Sequence, residues 1–195
     1  TLLLLTKIEN GQFPESTEVD VAALIREQAP LYNEIYESRH IDCRIDLPDR
    51  FVVSMNDSLA STLITNLLKN AYVHTEPGHS IDIALHNRTL TVTNDGDTPL
   101  DADHIFDRFY QGNKKEGSTG LGLALVKAFV EMHHGTIRVE TTEGQGTCFT
   151  IEMPARQSGA LDPDTTRSAV LTNLKEGAVL AADQETLQAQ PRETT

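Results

Sequence analysis

Apolar positions recur along this chain with two periods, and the places where the period changes mark its elements. Val21, Leu24, Ile25 and Ala29 fall at helical spacing within a run from about Val19 to Glu37, interrupted by Pro30. Period two then takes over: Ile41, Cys43, Ile45 and Leu47 alternate with Asp42, Arg44 and Asp46, the pattern of a strand with one face in a core and one in water. Phe51 to Met55, Ser80 to His86 and Thr89 to Asn94 read as further strands, the last two joined by an Asn87-Arg88 turn. Thr136 to Thr141 and Thr147 to Met153 read as a closing hairpin across Glu143-Gly144-Gln145-Gly146. Between the strands, Asp57 to His74 is one amphipathic helix with Leu59, Leu63, Leu67 and Ala71 as its apolar stripe and Asn56 or Asp57 as its N-cap. A last helix runs through Ala124 to Val130. The predicted fold class is α+β: a two-layer sandwich in which three helices cover one face of a mixed, mostly antiparallel sheet and the other face meets solvent.

The ends differ from this body. Thr1 to Asn10 carries four leucines between threonines, far short of the roughly 20 apolar residues a membrane span needs. It lacks the basic start and small-residue cleavage site of a signal peptide. From Ala155 onward no aromatic residue occurs, Gln, Thr, Ala, Asp and Glu dominate, and Pro163 and Pro191 punctuate the run, a composition of tail and not of core. The expected division is 1–12, 13–155 and a flexible 156–195.

Charge removes some function classes. Sixteen basic against twenty-nine acidic residues give a net charge of −13, which disfavours nucleic acid and anionic membrane surfaces. Cys43 and Cys148 form no ligand-spaced cluster and read as small buried hydrophobes at inward strand positions, in a reducing compartment.

Two features carry candidate chemistry. Gly117-Ser118-Thr119-Gly120-Leu121-Gly122-Leu123 places glycines and hydroxyls directly before a helix, whose first N–H groups and positive dipole end suit a phosphate. A tight helix entry needs the same glycines. Asn66, Asn70 and His74 lie four residues apart on a second, polar stripe of the long helix. Such a stripe is either a solvated surface or a source of amide oxygen for magnesium, which needs only one or two protein ligands when phosphates supply the rest.

Taken in order, Asn66-Leu67-Leu68-Lys69-Asn70-Ala71, Val92-Thr93-Asn94-Asp95-Gly96, Ile105-Phe106-Asp107-Arg108-Phe109-Tyr110 and Gly117 to Leu123 resemble the N, G1, F and G2 boxes of the ATP-binding catalytic domain of two-component sensor histidine kinases. That family belongs to the wider group of gyrase-type and Hsp90-type ATPases with the Bergerat fold. The resemblance runs from about Asp20 to Pro154 and closes on Glu143 to Phe149. It implies ATP and Mg2+ as cofactors, with Asn70 on the metal and Asn66 assisting at the phosphates. It further implies His74 against the base, Asn94 reading the adenine amine beside Gly96, and Thr147 helping to hold the base. Gly120 and Gly122, with the N–H groups of Leu121 and Leu123, would cradle the phosphates, and Lys114, Lys115 and Arg108 are the cations able to reach them. Phe106 and Phe109 would anchor the lid, Asp107 to Thr119.

The chain departs from the family pattern at Asn94 for aspartate, Thr98 and Ser118 for glycines, and Val73 for a lysine that often contacts phosphate. No phosphoacceptor histidine followed by an acidic residue is present; His40, His79, His86, His104, His133 and His134 all read as structural. The resemblance therefore implies a catalytic portion of a longer kinase, with residues 1–12 as the end of the dimerisation and phosphoacceptor helix. Its implied partners are that domain, a response regulator and a second copy of the parent, and its implied location is cytoplasmic, on a parent in the bacterial inner membrane. The alternatives are a degenerate nucleotide-binding module that regulates contacts without phosphotransfer, and a serine kinase that controls a sigma factor.

Overall fold

The hairpin of Ser80–His86 and Thr89–Asn94 forms as the alternation predicts, because its two turn residues, Asn87 and Arg88, both take left-handed backbone at φ 47° and 68°. That geometry matches the twist of a two-residue hairpin. The computed structural model describes residues 2–13, 16–96, 101–111 and 119–153. Among them the elements are α1 (Leu2–Glu9), β1 (Thr17–Asp20), α2 (Val21–Ile35), a 3₁₀ turn (Glu37–Arg39), β2 (Asp42–Asp46), β3 (Val52–Met55), α3 (Asp57–His74), β4 (Ser80–His86), β5 (Thr89–Asn94), α4 (Gly122–Met132), β6 (Thr136–Thr142) and β7 (Gly146–Glu152).

A five-stranded sheet in the order β2-β4-β5-β7-β6 is parallel only between β2 and β4 and antiparallel elsewhere. Ile81, Ile83, Leu85, Leu90, Val92, Phe149 and Ile151 point from it into the core, while Thr91, Thr93, Cys148 and Thr150 lie on the more open face. Over the inner face, α3 packs against α2, α4 and β5, and α1 packs against α4, burying Leu5 and Ile8. The stripe Leu59, Leu63, Leu67 and Ala71 is fully inward, each leucine contributing about 1.5–3 kcal/mol by burial. Asn56 caps α3, its Oδ1 accepting from the Leu59 N–H at 3.1 Å. The fold is thus the expected α+β sandwich, and no described helix is long and apolar enough to cross a membrane.

Several details correct the sequence reading. Thr17–Asp20, where no strand was expected, pairs antiparallel with β3 as a separate two-stranded sheet. Four residues with one buried side chain, Val19, are too few to show a period. The helix expected from Val19 begins at Val21, because the Asp20 carboxylate caps it through the Ala23 N–H and also accepts from the Phe51 N–H. Pro30 stays inside α2 on its exposed side, so the Arg26 carbonyl deprived of its donor belongs to an exposed residue. Ile45, expected in the core, is 39% exposed, since β2 is the edge of the sheet. Cys148 faces outward next to Thr150, because inward positions on β7 are Thr147, Phe149 and Ile151. Cys43 is half-buried, and burial first of all raises its thiol pKa above the usual value, which suits a packing role and not a nucleophile.

Candidate functional site

The polar stripe of α3 is half-buried, not solvated: Asn66, Asn70 and His74 all lie partly covered on one side of the helix. Asn66 donates from Nδ2 to the Thr62 carbonyl at 2.8 Å, which turns its Oδ1 toward the start of α4. There a Cβ built on Gly122 would lie 2.8 Å from that oxygen. The fold therefore brings the stripe and the glycine-rich helix entry together, and glycine at 122 is what permits the approach. Leu121, the residue preceding α4, makes no side-chain cap hydrogen bond to the helix, and the first-turn N–H groups of a helix suit an anion. One turn along α3, Asn70 Oδ1 is buried without a hydrogen-bond partner among the described residues. Buried amide oxygens are nearly always satisfied, so this one is a hard oxygen held ready for a donor or a cation. No group of three or more His, Cys, Asp or Glu able to hold a metal occurs among the described residues. Magnesium shared with phosphates does not require one, and the amide pair fits that mode.

On the sheet side, Asn94 and Thr147 are register partners at the ends of β5 and β7, 6% and 2% exposed. Thr147 Oγ1 donates to Thr141 Oγ1 at 3.3 Å. Gly146 takes φ 91°, and a Cβ there would fall 2.0 Å from the Asn94 carbonyl oxygen. Gly96 meets nothing within 4 Å of a built Cβ, so the backbone after β5 borders open space. The two faces of the candidate site are thus an amide stripe from α3 with the entry of α4, and a polar pair at the ends of β5 and β7.

The segment leading toward the lid divides. Phe106 is anchored, edge-on to Phe149 with ring centroids 6.3 Å apart and Lys127 Nζ 5.8 Å over its ring. Phe109, also expected to anchor, is instead 61% exposed with φ 65°. Its contribution is its backbone, whose N–H donates to the Gly120 carbonyl at 2.8 Å. Gly120 has φ 66°, and a Cβ there would stand 2.6 Å from Phe109 C and 2.7 Å from Tyr110 O. Leu121 is buried and Leu123 half-buried. Arg108 pairs with Glu9 at the end of α1, a partner the sequence reading did not foresee. Lys114, Lys115, Thr98 and Ser118 lie outside the described residues, as does the tail from Pro154.

Two supporting residues were missed. Arg39 wraps the end of α3, donating to the Tyr72 carbonyl at 2.6 Å, to the Val73 carbonyl at 3.4 Å and to the Thr75 carbonyl. It satisfies carbonyls that the helix end leaves free and so steadies the turn carrying His74. Asp95 ties the end of β5 to Ser80. Neither has a local sequence signal, since each partner lies far along the chain.

His104 Nδ1 lies 2.8 Å from Asp107 Oδ2, and this bond, followed by the charge of Asp101, raises the imidazole pKa above its ordinary value. A raised folded value means the pair contributes fully below the unfolded imidazole pKa and is lost as pH rises through the folded one. In an NMR titration His104 is expected to titrate above an unfolded histidine, and Asp107→Asn to bring its midpoint down. An unmoved midpoint would show that the pair does not form in solution.

A family model described as histidine kinase-, DNA gyrase B- and HSP90-like ATPase matches residues 55–157. The heme sensor protein HssS of Staphylococcus aureus (strain JH9) is 35% identical over 164 residues, covering 78% of this chain and 35% of its own length. The sensor-like histidine kinase SenX3 of Mycobacterium tuberculosis (strain ATCC 25618 / H37Rv) is 31% identical over 165 residues, 79% of this chain and 40% of its own. This chain spans two-fifths or less of the length of these curated relatives. A solved catalytic domain of the histidine kinase ThkA superposes with a TM-score of 0.61 at 28% identity, covering 72% of this chain and 95% of that one. The mycobacterial sensor histidine kinase MprB superposes at 0.63 with 23% identity over 72% of this chain and 99% of its own, a likeness of fold.

Proposed function

The chain belongs to the histidine kinase-, DNA gyrase B- and HSP90-like ATPases, as the ATP-binding catalytic domain of a sensor histidine kinase, and on that premise we propose that it binds Mg-ATP and donates the γ-phosphate to a histidine on a separate dimerisation domain. The observation that carries this reading is the buried Oδ1 of Asn70, unpartnered among the described residues, one turn from Asn66, whose own Oδ1 faces the entry of α4. In this reading Asn70 holds magnesium, with Asn66 beside it, and the metal supplies neutralisation of phosphate charge. The N–H groups from Gly120 to Leu123 bind phosphate oxygens at the positive end of α4. Asn94 reads the base with Thr147, Gly96 leaves room beside it, and His74 stacks against it. The attacking imidazole comes from outside these residues, so the chain's contribution is positioning and electrostatic stabilisation. Lys114, Lys115 and Arg108 are the cations assigned to the phosphates, Arg108 after leaving Glu9.

The same reading makes residues 1–12 the end of a dimerisation and phosphoacceptor helix, 13–155 the catalytic domain and 156–195 a tail, within a homodimeric, membrane-anchored parent that phosphorylates a response regulator. Incubation with labelled ATP, magnesium and the dimerisation domain of the parent protein is expected to place acid-labile phosphate on that domain and none on this chain. Stable labelling of this chain, or nucleotide binding with no transfer, would overturn it, the second outcome identifying a regulatory module without phosphotransfer.

A further inference from the structure

We propose that Asp95 is a positioning residue for base selection, acting through Ser80 to fix the amide of Asn94; this rests on the nucleotide reading above. The β4–β5 ladder ends at the pair Ile81 and Asn94, beyond which one backbone bond and the Asp95 side chain hold the strand. Asp95 and Ser80 do so with three hydrogen bonds. The Asp95 N–H donates to the Ser80 carbonyl at 3.1 Å. The Ser80 N–H donates to Asp95 Oδ1 at 2.6 Å, and the Ser80 hydroxyl donates to Oδ2 at 3.1 Å. Both carboxylate oxygens are used, and His79 Nδ1 adds a contact to Oδ1 at 3.3 Å.

The pin continues outward, since Arg44 Nη2 donates to Ser80 Oγ at 2.7 Å while its Nε lies 3.1 Å from Asp82. On the opposite side, Gly146 leaves no freedom: a Cβ there would fall 2.0 Å from the Asn94 carbonyl oxygen and 2.7 Å from Asp95 Cα. The backbone at Asn94 and Asp95 is therefore gripped between β4 and the start of β7. Such a grip matters more for asparagine than for a carboxylate, because an amide presents a donor on one side and an acceptor on the other and reads a base only when its plane is fixed. Hydrogen bonds weaken steeply with misalignment, so release of this grip should cost base recognition and spare phosphate binding.

The test is calorimetric titration of the 195-residue chain with Mg-ATP and, separately, with magnesium tripolyphosphate, which has no base. Asp95→Ala is expected to weaken ATP about tenfold while leaving tripolyphosphate within about twofold, a split that general damage to the fold would not produce. Ser80→Ala, which removes only the hydroxyl, is expected to weaken ATP about threefold, and to add nothing in the Asp95→Ala background. Should Asp95→Ala fail to fold, Asp95→Asn gives the same reading, with a smaller loss for ATP and none for tripolyphosphate. Unchanged ATP affinity, equal losses for both ligands, or additive effects of the two substitutions would overturn the positioning role alone. A wild-type chain that binds neither ligand would overturn the nucleotide reading and this inference with it.

Discussion

Replacing Asn70 by alanine is expected to lower the affinity for Mg-ATP about 100-fold or more while leaving the melting temperature of the nucleotide-free chain unchanged or higher. Both parts follow from one atom. Asn70 Oδ1 is buried with no hydrogen-bond partner among the described residues, and a buried acceptor left unsatisfied costs about 1–3 kcal/mol. Alanine removes that cost, and it is also the better helix former by up to about 0.7 kcal/mol. The small void left behind offsets part of the gain. A net gain of about 1 kcal/mol in a chain of this size raises the melting temperature by about 2–4 °C. The loss in binding has the opposite sign because the same oxygen is assigned to magnesium. Substitutions that merely support a metal ligand cost about 10–100-fold, and loss of the ligand itself should cost at least that. Titration with ATP in magnesium and in chelator, beside melts without nucleotide, separates the terms. An alanine variant that melts lower and binds as well as wild type would mean that Oδ1 is a structural group whose partner forms only in solution.

How much of this was legible in the sequence depends on the range over which each feature is encoded. The two stripes of α3 were readable because helical spacing repeats across Asp57–His74, long enough to separate an apolar face from an amide face. The β4–β5 hairpin was readable because its turn and both strands are contiguous. What escaped were pairings between distant segments. Arg108 was assigned to phosphate from its place in a motif, yet it meets Glu9, and nothing near either residue announces the other. Cys148 was placed inward by a period-two reading one residue out of phase, and in a strand that error reverses the face. The residue types of the candidate site, Asn66, Asn70, Asn94, Thr147 and the glycines, were legible as a set. That Asn66 rests on Gly122, and that Asn94 is opposite Thr147 with its backbone gripped by Ser80 and Gly146, depends on tertiary register and was not.

Gly120→Ala is expected to weaken Mg-ATP about 10–100-fold while lowering the melting temperature by only a few degrees, and Gly144→Ala provides the comparison that isolates the cause. Both glycines have left-handed backbone, at φ 66° and 72°, and an L-residue there costs about 1–2 kcal/mol whatever surrounds it. At Gly144 a Cβ meets nothing within 4 Å, so strain is the whole effect. At Gly120 the new atom would stand 2.6 Å from Phe109 C, 2.7 Å from Tyr110 O and 2.8 Å from Phe109 Cα, all backbone, so no rotamer change relieves it. The chain can respond only by moving the Phe109 strand of the loop away, which breaks the bond from the Phe109 N–H to the Gly120 carbonyl. Phe109 is itself left-handed at φ 65°, and losing its fixed partner lets it relax to ordinary backbone, which favours the separated state further. The damage stays local because loop segments open with small free energies compared with the core. It falls, however, on the residues that lead into α4, whose N–H groups from Gly120 to Leu123 are assigned to the phosphates. Titration of both variants with Mg-ATP, alongside thermal melts, is the measurement. Similar affinities in Gly120→Ala and Gly144→Ala would show that the close approach of Phe109 and Gly120 does not shape the phosphate site.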